Sequence, residues 1–146
     1  MAVLVQKMIT PDYSFVLHTV NPGSRNPEEA YIELAVGLGE ILTSAPAPGT
    51  PYRMVCNKVS GEAQLLAFAN LSYAIWPDKA GGIARKILDY SKVEMSRELE
   101  FHKALGSRLT AIARQAEDAF GQPQDIEGAI ADGEIYLVQS RPQQGL

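Results

Sequence analysis

The sequence has one cysteine and two histidines in 146 residues. A lone thiol, Cys56, can neither staple a secreted fold nor build a multi-cysteine zinc site. Basic residues are short relative to acids: thirteen Lys and Arg face seventeen Asp and Glu, for a formal charge of −4. That balance offers no basic footprint for nucleic acid. Long apolar runs are missing as well. The longest strongly apolar runs, such as Leu65 to Ala69, reach only five residues, far short of the roughly 20 that cross a membrane. Met1 to Met8 has neither the basic start nor the small-residue cleavage site of a signal peptide. The absences point to a soluble, intracellular, mildly acidic domain with no nucleic-acid or membrane partner. The length fits one compact domain with a real core.

What is present reads as several strands, one long helix and a terminal hairpin. Ala2 to Met8 alternates, with Val3, Val5 and Lys7 on one face and Leu4, Gln6 and Met8 on the other, and is expected to be a strand. Ser14 to Val20, Tyr31 to Val36, Tyr52 to Cys56 and Ala84 to Asp89 are further β-rich runs, and Leu65 to Leu71 fits strand or helix. Gly37-Leu38-Gly39-Glu40 turns into a short helix through Thr43, and the proline-rich stretch Ala45 to Pro51 is a surface loop. The long helix is expected from about 96 to 120. Ser96 serves as N-cap, Phe101, Leu105, Leu109, Ile112, Ala116 and Ala119 form the apolar face, and Gly121 with Pro123 forms the stop. Gln124 to Ile130 and Glu134 to Ser140 close the chain as a hairpin. This order predicts an α+β fold with a mostly antiparallel sheet.

The hairpin holds the residues best suited to chemistry. Alternation puts Asp125 and Glu127 on one face of its first strand, and Gln139 and Arg141 on one face of its second. A two-residue Asp132-Gly133 loop would set the two pairs on opposite sides. A three-residue loop, Ala131 to Gly133 with Gly133 left-handed, would pair Asp125 with Gln139 and unite all four, and the position of Gly133 favours it. Carboxylate and amide oxygens suit Mg2+, and the guanidinium fork of Arg141 suits phosphate. The plainer alternative is an exposed hairpin with a wet polar face. Gly37-Leu38-Gly39-Glu40 matches neither the dinucleotide fingerprint nor a P-loop, so it is a plain turn or a backbone cradle for phosphate. His18 and His102 have no catalytic partner at a recognisable spacing. Cys56 reads as a small core residue. Tyr73 and Trp76 are either a stacking pair for a sugar or loop packing.

Taken in order, VLVQKM (Val3 to Met8), SFVLHT (Ser14 to Thr19), ELAVGLGE (Glu33 to Glu40), PQDIE (Pro123 to Glu127) and VQSRP (Val138 to Pro142) resemble a known domain. It is the later part of the ATP-grasp nucleotide-binding domain of pyruvate phosphate dikinase and phosphoenolpyruvate synthase. Within that superfamily the chain is similar to the plastid α-glucan water dikinases. LAFANL (Leu66 to Leu71) together with Pro11 to Val20 is most similar to the phosphoglucan water dikinases. The resemblance spans residues 1–146 and implies the C-terminal portion of the ATP-binding domain. It further implies that Glu127 and Gln139 hold Mg2+ against the phosphates of ATP, that Arg141 contacts those phosphates, and that Asp125 supports the site. Glu127 and Arg141 would be the catalytic pair. Gln6, Lys7 and Met8 would meet adenine through the backbone, and Gly37, Gly39 and Glu40 would shape the nucleotide pocket.

The reaction implied transfers the β-phosphate of ATP through a histidine on another domain to starch or a phosphorylated α-glucan, in plastids. The Thr-Ser-His type segment for that histidine, the family's phosphate-contacting Lys and Arg, and any starch-binding module lie outside this sequence. The isolated chain is therefore expected to bind ATP weakly and to show no dikinase turnover. The alternatives are a fragment of a phosphoenolpyruvate synthase-like enzyme, or a non-catalytic binding module.

Overall fold

The computed structural model describes residues 1–43 and 48–145. A six-stranded antiparallel sheet has the spatial order β4-β3-β2-β1-β7-β8. Its strands are β1 (Tyr13–His18), β2 (Glu29–Val36), β3 (Tyr52–Asn57), β4 (Ala63–Ala67), β7 (Gln124–Ala131) and β8 (Glu134–Pro142). A separate two-stranded sheet joins β5 (Tyr73–Pro77) to β6 (Ile83–Ile87). The helices are α1 (Glu40–Thr43), α2 (Glu94–Arg97) and α3 (Leu99–Phe120), with a 3-10 turn at Tyr90–Lys92. The fold is the expected α+β type.

Alternation divides the large sheet into two unlike faces. Phe15, Leu17, Ile32, Leu34, Met54 and Ile126 point to one side and are buried with Leu105, Leu109 and Ala113 of α3 in a single core. Gly106 permits the close approach of α3. A Cβ there would collide with Ala63 Cβ and come within 3.0 Å of Met54 Cε. The apolar stripe of α3 accordingly runs through the small residues Gly106, Thr110 and Ala113, which are buried, while Ala119 at the end of the expected face is exposed. Gly121 does close α3 in the left-handed conformation, at φ 66°.

Four local expectations change. Ala2 to Met8 is not a strand: it pairs with nothing among the described residues, and Val5 is 88% exposed. Alternation supplies two faces, but a strand also needs a hydrogen-bonding neighbour. Ser96 is not the N-cap of the long helix. It lies in α2, where its Oγ donates to the Tyr90 carbonyl (2.7 Å) and sits 2.6 Å from the Tyr52 hydroxyl. With that hydroxyl engaged, α3 starts after Glu98, whose extended backbone breaks the helix and whose side chain makes no cap. Leu65 to Leu71 is strand only to Ala67, beyond which Ala69 and Leu71 enter the core from a loop. Tyr73 to Pro77 is a strand, with Pro77 at its last residue, where a missing N–H is tolerated. Residues three apart on a strand face opposite ways, so Tyr73 and Trp76 do not form one sugar platform. Arg85 lies 5.2 Å from the centre of the Tyr73 ring, and Lys86 lies 5.6 Å from that of Trp76. Of the expected proline-rich loop, Ala45 to Ala47 fall outside the described residues. Its end is tied to the fold where the Thr50 N–H donates to Asn70 Oδ1 at 2.6 Å.

Two stability predictions follow from this core. At an exposed helical site Gly→Ala gains about 1 kcal/mol, whereas overpacking costs about 1–3 kcal/mol. Gly106→Ala is therefore expected to lower the urea midpoint, because the contact with Ala63 outweighs helix propensity. Burial also pushes the Cys56 thiol up to about 11 and the Tyr13, Tyr31 and Tyr90 phenols up to about 12. The folded state holds these protons where the unfolded chain releases them. Stability is thus full below the ordinary thiol value of 9.0 and drains as pH rises towards 12. Thermal midpoints measured across that alkaline range should fall steadily.

Candidate functional site

The β7–β8 hairpin does unite the four polar residues, by a different route from the one expected. Ala131 pairs with Glu134, which leaves a two-residue loop of Asp132 (φ 52°) and Gly133 (φ 77°). Both left-handed values belong to a type I′ turn. In that register Glu127 would oppose Val138, and the two polar pairs would face opposite ways. The register shifts between Gly128, which pairs with Leu137, and Glu127, which pairs with Gln139. Val138 is the extra residue of a β-bulge, and the slip turns Gln139 and Arg141 to the side of Glu127 and Asp125. The pairings are Glu127 with Gln139 and Asp125 with Arg141, correcting the expected Asp125–Gln139 pair.

Both ends of the hairpin are anchored. At the turn, the Asp132 N–H donates to Asp12 Oδ2 (3.0 Å) and Arg108 of α3 donates to the Gly133 carbonyl (2.8 Å). At the base, the Gln124 N–H donates to Thr19 Oγ1 (2.8 Å), and Ser140 Oγ donates to Gln124 Oε1 (3.0 Å). Between these anchors Asp125 is buried, and its Oδ2 accepts from Arg141 Nε at 2.9 Å and lies 2.8 Å from Nη2. That hydrogen bond, with the charge of Asp125 behind it, raises the Arg141 pKa above its ordinary value. Glu127 is half-buried, and Gln139 and Arg141 are exposed.

A cleft of about 560 Å³ adjoins this face. Gln6, Lys7, Met8, Gly39, Glu40 and Glu127 all line it, so the irregular N-terminal segment reaches the site although it forms no strand. Asp125, Gln139 and Arg141 lie beside the cleft through their register with Glu127. Gly37 stands apart. Its N–H donates to the Asp12 carbonyl (3.0 Å), its carbonyl accepts from Ser14 Oγ (2.7 Å), and a Cβ there would collide with the Ile75 carbonyl. Its small size serves the junction between the two sheets, where the Leu38 N–H donates to the Ile75 carbonyl at 2.7 Å.

No group of three or more His, Cys, Asp or Glu side chains among the described residues is placed to hold a metal ion. Mg2+ asks less of a protein: one or two oxygen ligands, the remainder coming from water and phosphate. Glu127 and Gln139, paired across the strands, supply oxygen donors of that kind. His102 lies on α3, on the helix side of the sheet, with its pKa pushed down by burial and by Lys103. Spacing along the sequence gives His18 no partner, and β1 sets it beside Asp125. No sequence signal could have paired two residues so far apart along the chain.

The chain matches, over residues 1–146, the family described as the pyruvate phosphate dikinase, AMP/ATP-binding domain. The chain belongs to that family. The alpha-glucan water dikinase of Solanum tuberosum is 34% identical over 98% of this chain, which is 12% of that protein. Alpha-glucan water dikinase 1 of Arabidopsis thaliana is 35% identical over the same shares. The rifampicin phosphotransferase of Bacillus subtilis is 33% identical over 97% of this chain and 16% of its own length. The chain thus spans a small part of each relative. As a pyruvate phosphate dikinase-type AMP/ATP-binding domain, it has a nucleotide as its ligand class. No helix among its described residues is long and apolar enough to cross a membrane.

The Asp125–Arg141 contact yields a test of direction rather than size. Arg141→Ala leaves a buried carboxylate without its donors and should lower the urea midpoint. Adding Asp125→Ala removes the orphaned carboxylate, so the double variant should be more stable than Arg141→Ala alone.

Proposed function

We propose that this chain holds Mg·ATP for a glucan-phosphorylating dikinase. Residues 1–146 are read as the C-terminal portion of an ATP-grasp nucleotide-binding domain. The observation that carries the reading is the bulged register of β7 and β8, which sets two oxygen donors and an anchored guanidinium on one face beside the cleft. Glu127 and Gln139 would hold the metal. When bound, Mg2+ supplies charge neutralisation to the nucleotide phosphates. Arg141 contacts a phosphate with the donors that Asp125 does not engage, and Asp125 fixes the direction of the fork. Gln6, Lys7 and Met8 offer backbone groups to the base, while Gly39 and Glu40 line the same cleft as Glu127. Such a site works by positioning and charge more than by covalent chemistry.

In the proposed reaction the β-phosphate of ATP passes to a histidine on another domain and then to a hydroxyl of starch glucan. The γ-phosphate goes to water, releasing AMP and phosphate. The glucan acceptor and a plastid location rest on the names of the two plant relatives above, both of which are called chloroplastic. The chain alone should bind Mg·ATP weakly and turn nothing over.

Calorimetry tests the nucleotide half of the proposal. Mg·ATP should bind measurably, and Glu127→Ala or Arg141→Ala should each weaken it by about tenfold or more. No binding by the unaltered chain, or binding indifferent to both substitutions, would favour a non-catalytic module. With the native gene product and β-labelled ATP, label should appear on glucan. Label on pyruvate would instead identify a phosphoenolpyruvate synthase-like enzyme.

A further inference from the structure

Asp125 satisfies only one of its two oxygens through Arg141. Oδ2 takes both guanidinium contacts, whereas Oδ1 is buried and has no hydrogen-bond partner among the described residues. A second orphan faces it: Nδ1 of His18 is likewise buried and unpartnered, 3.8 Å away. Two unrelated polar atoms left bare in the same place call for a common explanation, because buried polar atoms are almost always paired. The backbone fixes the juxtaposition, since His18 and Asp125 are register partners across β1 and β7. The His18 ring is held on its other flank by Tyr31, with ring centres 6.3 Å apart and planes 29° from parallel. Tyr31 is itself tied by its hydroxyl to Glu33 Oε1 at 3.1 Å.

The gap exceeds a hydrogen bond by about half an ångström, and a water bridging it would have to bend well inside its tetrahedral angle. The torsion that turns an imidazole ring is soft, so a small rotation closes the distance. Asp125 cannot close it as easily, because Arg141 holds its other oxygen. We propose that His18 is a positioning residue whose Nδ1–H holds the Asp125 oxygen that Arg141 leaves free, so that the carboxylate presents the guanidinium in one fixed orientation. The proton must then sit on Nδ1, leaving Nε2 as the acceptor in the neutral ring. The chain of contacts runs from Glu33 through Tyr31, His18 and Asp125 to Arg141, across four strands of the open face. Its functional consequence, a guanidinium aimed at nucleotide phosphate, rests on the function proposed above. The contact itself does not.

Nitrogen NMR on the whole chain tests the contact. The His18 imidazole should show a protonated Nδ1, and the Arg141 Nε–H should exchange slowly with water. His18→Phe keeps a ring against Tyr31 but removes the donor, and should speed that exchange by about tenfold or more. His18→Asn, which places an amide N–H near the same point, should restore slow exchange. An unprotonated Nδ1, or Arg141 exchange unchanged in His18→Phe, would overturn the inference. Should His18→Phe fail to fold, the protonation site in the unaltered chain decides. A Mg·ATP titration separates the two readings. Binding that depends on Arg141, with Arg141 indifferent to His18, sinks this inference alone. Arg141 loosened by His18→Phe in a chain that binds no Mg·ATP sinks the nucleotide reading and leaves the inference standing.

Discussion

One extra residue on β8 governs the arrangement of this molecule. Side chains alternate along a strand, so a single-residue slip exchanges everything that faces the core for everything that faces away. The I′ turn at Asp132-Gly133 starts β8 in a register that would send Arg141 to the side opposite Asp125. The bulge at Val138 reverses that halfway along. Each half of the strand then meets a different need. The turn-proximal half keeps the tight two-residue connection that Asp12 and Arg108 hold from either side. The distal half delivers Gln139 and Arg141 to the polar face.

The two faces of the sheet divide the work because their surroundings differ. Tyr13, Phe15 and Leu17 of β1 look towards α3 and are buried with it. Ser14, Val16 and His18 look the other way. At one end of that second face Ser14 is covered where Gly37 approaches Ile75, and the cleft opens beyond it. At the other end His18, Asp125 and Arg141 form a polar row. The apolar layer thus fixes the strands that carry the polar row, and β1, the strand between β2 and β7, belongs to both. A change in packing under Phe15 or Leu17 would be felt at Asp125 through a backbone only one strand away.

Local signals were legible where they act within a few residues. Gly121 ends α3 because a left-handed residue is needed there, and Leu105 and Leu109 are buried because helical period places them together. The hairpin was legible for the same reason, and PQDIE with QSRP identified the family to which the chain belongs. What escaped depends on distant partners. The alternation of Ala2 to Met8 says nothing about whether a neighbouring edge exists. Ser96 has the chemistry of a cap, but Tyr52 and Tyr90 engage its hydroxyl first. The bulge at Val138 leaves no mark in composition. It serves a register that both anchored ends of the hairpin must satisfy at once. His18 was silent because its meaning lies in β1–β7 pairing.

The relatives named for glucan and for rifampicin share this segment with the chain at nearly the same identity. Acceptors so different in size and chemistry could not both be read by one small domain. What such enzymes can share is the handling of the nucleotide, where the charges and distances are fixed by phosphate rather than by the acceptor. A site built for that task should show few shape-specific contacts and several fixed charges, anchored firmly enough to act alike for different acceptors. The hairpin has that character: oxygen donors, one guanidinium, and backbone anchors at both ends. Selection of the acceptor then falls to parts of the relatives that this chain does not span.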